Sequence, residues 1–197
     1  AVLILPAGIF ENRFSPLITD RNGQILRVYL NPDEQWQLPY RPLEVPEKLE
    51  KAVLLFEDQY FFSHPGFNPL ALLRAGGQLI EKGRIISGGS TITMQTARLA
   101  APKNRNLFNK LTEIVQAVYL ELRFSKAEIL RMYLENAPYG GNIVGVESAA
   151  RRYYGREPEN LTWAEAALLA VIPNAPSLIN PVKNSEKLLA KRNRLLN

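Results

Sequence analysis

The 197-residue chain has no cysteine and only one histidine. A disulfide framework, a thiolate zinc site and a histidine-rich metal centre are therefore excluded at once. It has no apolar run long enough to cross a bilayer, since Ala1 to Phe10 falls well short of the span required. That opening also lacks the basic flank of a signal peptide and begins without methionine, so it reads as the start of a trimmed chain. There is no internal repeat and no low-complexity tract. A hydrophobic share of 46% argues for a sizeable domain that folds by burial. The formal charge of +5 favours an anionic partner: nucleic acid, a phosphorylated ligand or an acidic lipid surface. The basic and aromatic strand pattern of single-strand nucleic-acid binders is missing, so no nucleic-acid partner is expected.

The pattern of residues predicts a short β-hairpin and then helices. Leu17-Ile18, the turn Asp20-Arg21-Asn22-Gly23 and the run Ile25 to Leu30 form the hairpin. Pro32, Pro39, Pro42 and Pro46 mark an extended linker, with a helix opening at Pro46 as its first residue. Val45, Leu49, Val53, Phe56 and Tyr60 form its apolar stripe. Asn68-Pro69 opens a second helix that Gly83 can close, and a third begins at Ser90 or Thr91. The longest runs from about Leu107 to Phe124, with Leu107, Leu111, Ile114, Val115, Val118, Tyr119 and Leu122 expected on the buried side. Ser125 with Glu128 and Thr162 with Glu165 have capping-box spacing, and Gly155 is a helix stop. Pro173, Pro176 and Pro181 define a loop before a basic terminal helix. The expected organisation is a segment over 1–45 carrying the hairpin, then a main domain over 46–197.

Chemistry concentrates in two stretches. Glu57 and Asp58 stand at an aromatic helix end with Phe56, Tyr60, Phe61 and Phe62, just before His64-Pro65-Gly66. A carboxylate partly desolvated there suits proton transfer, while a solvent-facing acidic pair fits the residues equally well. His64, before Pro-Gly, fits a turn-fixing role better than catalysis. The second stretch, Gly88-Gly89-Ser90-Thr91-Ile92-Thr93-Met94-Gln95, is a glycine turn delivering hydroxyls and an amide into a helix start. Glu113 follows Lys110 on one helical face, and Arg98, Lys103, Arg105, Lys126, Arg151 and Arg152 add positive charge. Cations beside a helix N-terminus are what a phosphate or pyrophosphate leaving group needs, although any one of them alone fits an ordinary surface charge better.

These residues stand in four ordered motifs. Glu57-Asp58, Phe61, His64 and Gly66 form the first, and Gly88 to Gln95 the second, with Met94 in place of a usual glutamine. Asn109-Lys110-x-x-Glu113 is the third, its usual arginine replaced by Asn109, and Lys126, Ile129, Leu130, Tyr133 and Leu134 form the fourth, with Glu135 where asparagine is usual. In this the chain resembles the peptidoglycan glycosyltransferase domain of class A penicillin-binding proteins, glycosyltransferase family 51. Met94 and the segment Ala137 to Gly141 are most similar to the penicillin-binding protein 1C branch.

The resemblance implies a mainly α, lysozyme-like domain with a smaller membrane-facing lobe, polymerising lipid II on a nascent glycan strand. By that likeness Glu57 is the base for the acceptor hydroxyl. Glu113 positions the diphosphate, directly or through a divalent cation such as Mg²⁺ or Mn²⁺. Asp58, Ser90, Thr91, Gln95, Arg98, Arg105, Lys110 and Lys126 are expected at the substrate, and Phe61, His64, Gly66, Gly88 and Gly89 hold the motifs in shape. It further implies the extracytoplasmic face of the bacterial cytoplasmic membrane, other cell-wall enzymes as partners, and a single-pass anchor ahead of Val2 to Ile9. Leu70 to Leu73, Leu79 and Ile80, with Arg74, Lys82 and Arg84, suit the bilayer surface, or equally simple core packing. Two other functions fit the residues: a lipid II- or glycan-binding scaffold without turnover, and a lysozyme-like glycan-cleaving enzyme.

Overall fold

The computed structural model of the chain describes residues 5, 9–11, 13–42, 44–82, 89–104, 106–173 and 185–196. Over these residues the architecture is mainly α, with a short N-terminal hairpin. The hairpin pairs β1 (Leu17–Thr19) with β2 (Ile25–Val28) in antiparallel register, with an irregularity between Ile18 and Thr19. Its turn forms because Asp20 Oδ1 accepts from the backbone of Asn22 and Gln24 while Gly23 takes a positive φ of 80°. A second ladder was not legible in the sequence: β3 (Trp36–Gln37) lies parallel to β4 (Ile143–Val144). Two-residue strands carry too little alternation to be seen.

The helices start and stop largely where their local chemistry says. Helix α1 (Glu47–Glu57) begins one residue later than expected, because the carbonyl of Pro46 accepts from Leu49 and Glu50 and so caps the helix from outside. Since α1 ends at Glu57, Tyr60 leaves the apolar stripe and is exposed. Asn68 caps α2 (Pro69–Lys82) through Ala71 N, and Thr91 caps α3 (Ile92–Ala100) through Met94 N. Asn106 caps α4 (Leu107–Arg123), and Ser125 with Glu128 opens α5 (Lys126–Asn136). Helix α6 (Val146–Tyr154) ends on left-handed Gly155, and Thr162 with Glu165 makes a complete capping box for α7 (Trp163–Val171). Helix α8 (Ser185–Leu196) follows. Gly83, Pro176 and Pro181 lie outside the described residues.

The chain divides into two compact units that interleave in sequence: 1–9 with 57–133, and 10–56 with 134–197. In the second unit the hairpin is tied down, with Ser15 N donating to Gln37 O. Its interior comprises Leu38, Leu49, Val53, Leu134, Val146, Leu169 and Ile172 among others. There Glu147 is buried against Arg151 at 2.7 Å; burial pushes its carboxyl above the usual range, and the guanidinium bond offsets part of that.

In the first unit, α3 packs on α4 around Phe61, Ile92, Met94, Ala97, Ala117 and Leu120. The buried side of α4 is not the expected one. Thr112, Glu113, Gln116, Ala117 and Leu120 face inward, whereas Phe108, Leu111, Val115 and Leu122 are exposed and Ile114, Val118 and Tyr119 are half-buried. Only Leu107, whose side chain is not described, is left open by this correction. On that inward side Glu113 meets Arg98 of α3, while Thr112 donates back to Phe108 O within α4. Of the N-terminal segment, Leu5 and Ile9 are buried, and the remainder of Val2 to Ala7 and Gly8 lies outside the described residues.

Candidate active site

Every described site residue belongs to the first unit. Glu57 is the last residue of α1 and half-buried, and Gln95 on α3 donates from Nε2 to its Oε2 at 2.8 Å. This places a neutral donor on the carboxylate and orients it. One turn further along α3, Arg98 Nη1 lies 3.8 Å from Glu113 Oε2. The same oxygen accepts from Lys110 Nζ at 3.1 Å, and Lys110 also donates to Ser90 Oγ at 2.8 Å. Helix α3 thus meets one acidic residue with an amide and the other with a cation, roughly 4.5 Å apart along its axis. Both cations keep about a third of their side-chain surface open, 30% each, so they can meet a ligand while paired.

Beneath this surface lies a buried polar frame. Asp58 directs Oδ2 at Ile92 N, 2.9 Å away, and both its oxygens at His64 Nε2. Gly66 N donates to His64 Nδ1, so that nitrogen is the acceptor and the ring proton sits on Nε2, facing Asp58. His64 thus links Asp58 to the backbone of the turn at Gly66. Thr91 donates to Gly66 O at 2.6 Å while capping α3. Gly66 itself has φ 91°, and a Cβ there would lie 2.9 Å from backbone atoms of Ala117, so only glycine admits this approach.

Three residues expected at the substrate are engaged inside the protein. Asp58 and Thr91 are buried in the frame just described. Lys126 directs its ammonium to Glu121 Oε1 and to His64 O, each at 2.7 Å, and sits 4.5 Å above the Phe61 ring. The structure brings together Glu57 with Gln95, and Ser90 with Arg98, Lys110 and Glu113, with Gly89 leading into Ser90. Gly88 and Arg105 lie outside the described residues. Glu121 went unread in the sequence, and Thr93 was read only as part of the second motif, because a lone glutamate on a long helix and a threonine inside one carry no local signal of being joined.

The departures from the motifs also find their places. Met94 is fully buried in the interior. Asn109 donates to Asn104 O in the first turn of α4, and Glu135 accepts from Tyr40 N in the second unit. Among the described residues no group of three potential metal ligands occurs, and Glu113 is held by two cations.

Residues 22–197 match the transglycosylase family. The chain belongs to that family. Membership supports a peptidoglycan glycosyltransferase activity for this domain. It is 38% identical to penicillin-binding protein 1C of Escherichia coli over 97% of this chain and 25% of that protein. To penicillin-binding protein 1A of Pseudomonas aeruginosa it is 38% identical over 83% of this chain and 20% of that one. A crystal structure of penicillin-binding protein 1A from Haemophilus influenzae aligns over 95% of this chain and 18% of that one, with 22% identity and a TM-score of 0.47. The chain spans about a quarter or less of the curated relatives' length.

Proposed function

We propose that this transglycosylase domain polymerises lipid II into β-1,4-linked glycan strands, with inversion at the donor carbon and release of undecaprenyl pyrophosphate. One observation carries the reading: α3 holds Gln95 on Glu57 and, one turn away, Arg98 beside Glu113 and Lys110. Glu57 takes the proton from the 4-hydroxyl of the acceptor sugar. That oxygen forms its bond to C1 of the donor as the bond from C1 to the diphosphate oxygen breaks, and the diphosphate leaves with the electron pair. Its growing negative charge is met by Arg98 and Lys110, whose cationic groups are already in place and need little reorganisation. Ser90, held by Lys110, and Gln95 line the path between the two.

A divalent cation accompanies the diphosphate in this proposal, with Glu113 as the protein carboxylate it would meet. Mg²⁺ is commonly held by one or two carboxylates together with phosphates and water, so an all-protein cage is not required. It would supply further charge neutralisation to the leaving group. The exposed apolar side chains of unit one fit a bilayer surface as the partner: Leu70 and Leu73 on α2 are 77% and 73% exposed, and Leu122 on α4 is 81% exposed. No helix among the described residues is long and apolar enough to cross a membrane, so contact through these helices would be at the surface. The reading therefore puts the domain on the extracytoplasmic face of the cytoplasmic membrane, where a lipid-linked donor is presented.

The test is polymerisation of labelled lipid II in detergent with Mg²⁺. Wild-type protein is expected to yield glycan chains and free lipid diphosphate, and Glu57→Gln neither. Equal product from the two proteins would sink the assignment of Glu57. Tight binding of lipid II without product would select a scaffold, and soluble fragments from purified sacculi a glycan-cleaving enzyme.

A further inference from the structure

We propose that Glu121 is a positioning residue for this reaction, clamping α3 from behind together with Lys126, so that the motif lysine serves the frame and not the diphosphate. The proposal rests on the functional reading above. Glu121 lies on α4, eight residues beyond Glu113, with a side chain only 13% exposed. Its Oε1 accepts from Thr93 Oγ1 at 2.6 Å and from Lys126 Nζ at 2.7 Å. One oxygen thus joins three helices.

Thr93 is fully buried on α3. At 3.6 residues per turn, Gln95 and Arg98 lie roughly 140–160° around the helix from it. The clamp therefore grips the face of α3 opposite the one that meets Glu57 and Glu113. The stem of Glu121 does a second job, since its Cγ lies 3.0 Å from where a Gly66 Cβ would be. Lys126 completes the enclosure by donating to His64 O and covering the Phe61 ring. The turn that orients Asp58 and the helix that orients Gln95 are in this way fastened to one ion pair.

The chemistry separates this arrangement from a phosphate site. A cation that serves phosphate keeps part of its side chain open to solvent, and Arg98 and Lys110 are each 30% exposed. Lys126 is 20% exposed and has a carboxylate, a carbonyl and an aromatic face around its nitrogen. Removing either partner leaves the other charge without its counter-ion in a largely dry setting, and the geometry of α3 relaxes. Small displacements of a group that orients a catalytic base are costly to turnover, while a long arginine absorbs them.

The experiment compares Glu121→Gln, Lys126→Gln, the double variant and Arg98→Gln by lipid II polymerisation and by inhibition with inorganic diphosphate. Each single clamp variant is expected to lower kcat roughly ten- to a hundredfold. Diphosphate inhibition should stay within about threefold of wild type in both, whereas Arg98→Gln should weaken it by roughly tenfold or more. The double variant should be no worse than the poorer single one, because each single loss already opens the clamp. Should either clamp variant fail to fold, Thr93→Val and Thr93→Ser replace it: the serine, which keeps the hydroxyl, is expected to retain kcat and the valine to lose it. The proposal is overturned if Lys126→Gln weakens diphosphate inhibition as Arg98→Gln does while Glu121→Gln does not. It is equally overturned if Glu121→Gln and Thr93→Val leave kcat unchanged. Full activity in Glu57→Gln would be a failure of the functional reading instead, and leaves the clamp's own arms separately readable through diphosphate inhibition and thermal stability.

Discussion

The two units differ in what their buried polar groups are joined to. In the second, Ser15 and Ser148 serve the backbone: Ser15 Oγ bridges Gln35 O and Gln37 N, and Ser148 Oγ accepts from Leu38 N. Glu147 with Arg151 is the main buried side-chain pair there. In the first unit side chain meets side chain repeatedly: Asp58 with His64, Glu57 with Gln95, Lys110 with Ser90 and Glu113, and Thr93 with Glu121 and Lys126. Such networks are favourable only when every member is satisfied, and they specify geometry more than they add stability. The described candidate site residues all fall in the unit with this denser side-chain network.

The sharpest way to break that contrast is Glu57→Gln, which should lower kcat roughly 10²–10⁴-fold while leaving the melting temperature near wild type. Kinetics and calorimetry on the same preparation would check it. In the second unit the reverse is expected. Leu169, fully buried on α7, should cost about 3–5 kcal/mol of stability when changed to alanine, with the specific activity of the folded fraction preserved. Denaturant titration alongside active-site counting measures both.

Gly66→Ala should sit between these patterns and lose both properties. Its positive φ and the contact with Ala117 together imply a cost of about 2–4 kcal/mol, and the displaced turn should lower turnover in what still folds. A variant as stable and active as wild type would show that the turn can relax.

The smallest expected effect is Thr162→Ala at the start of α7, about 1 kcal/mol of stability and no change in kcat. It carries a pH signature. The backbone of Thr162 lowers the Glu165 carboxyl most, burial opposes it, and the Thr162 hydroxyl, Arg156 and Lys48 lower it further, so that it stays below its usual range. A carboxyl lowered in the folded state contributes stability above its unfolded value, and that contribution is lost as pH falls through the folded value. The difference between Thr162→Ala and wild type should therefore shrink below the ordinary glutamate range, and unfolding curves between neutral and acid pH would show it.

How far the sequence reaches is visible in particular residues. Capping boxes at Ser125 and Thr162, caps at Asn68 and Thr91, and the stop at Gly155 were legible because each is made within a few residues of chain. The four motifs identified the family for the same reason, as strings of neighbours. Pairing of Gln95 with Glu57 across 38 residues, and of Lys126 with His64 across 62, has no such signature.

By itself, then, the sequence determined the helical class, most helix ends, the family and the choice of Glu57 and Glu113 as the acidic residues to examine. Only the tertiary structure decided which side of α4 is inside, that Met94 belongs to the interior, that Asp58 and Thr91 are buried, and that Lys126 pairs with Glu121. The reason is physical. Periodicity shows that a helix has two unlike faces, but burial and charge pairing depend on what other parts of the chain bring to each face. For α4 those parts bring the Thr93 hydroxyl and the Lys126 ammonium to Glu121 and the Arg98 guanidinium to Glu113, and leave Leu111 and Leu122 outside.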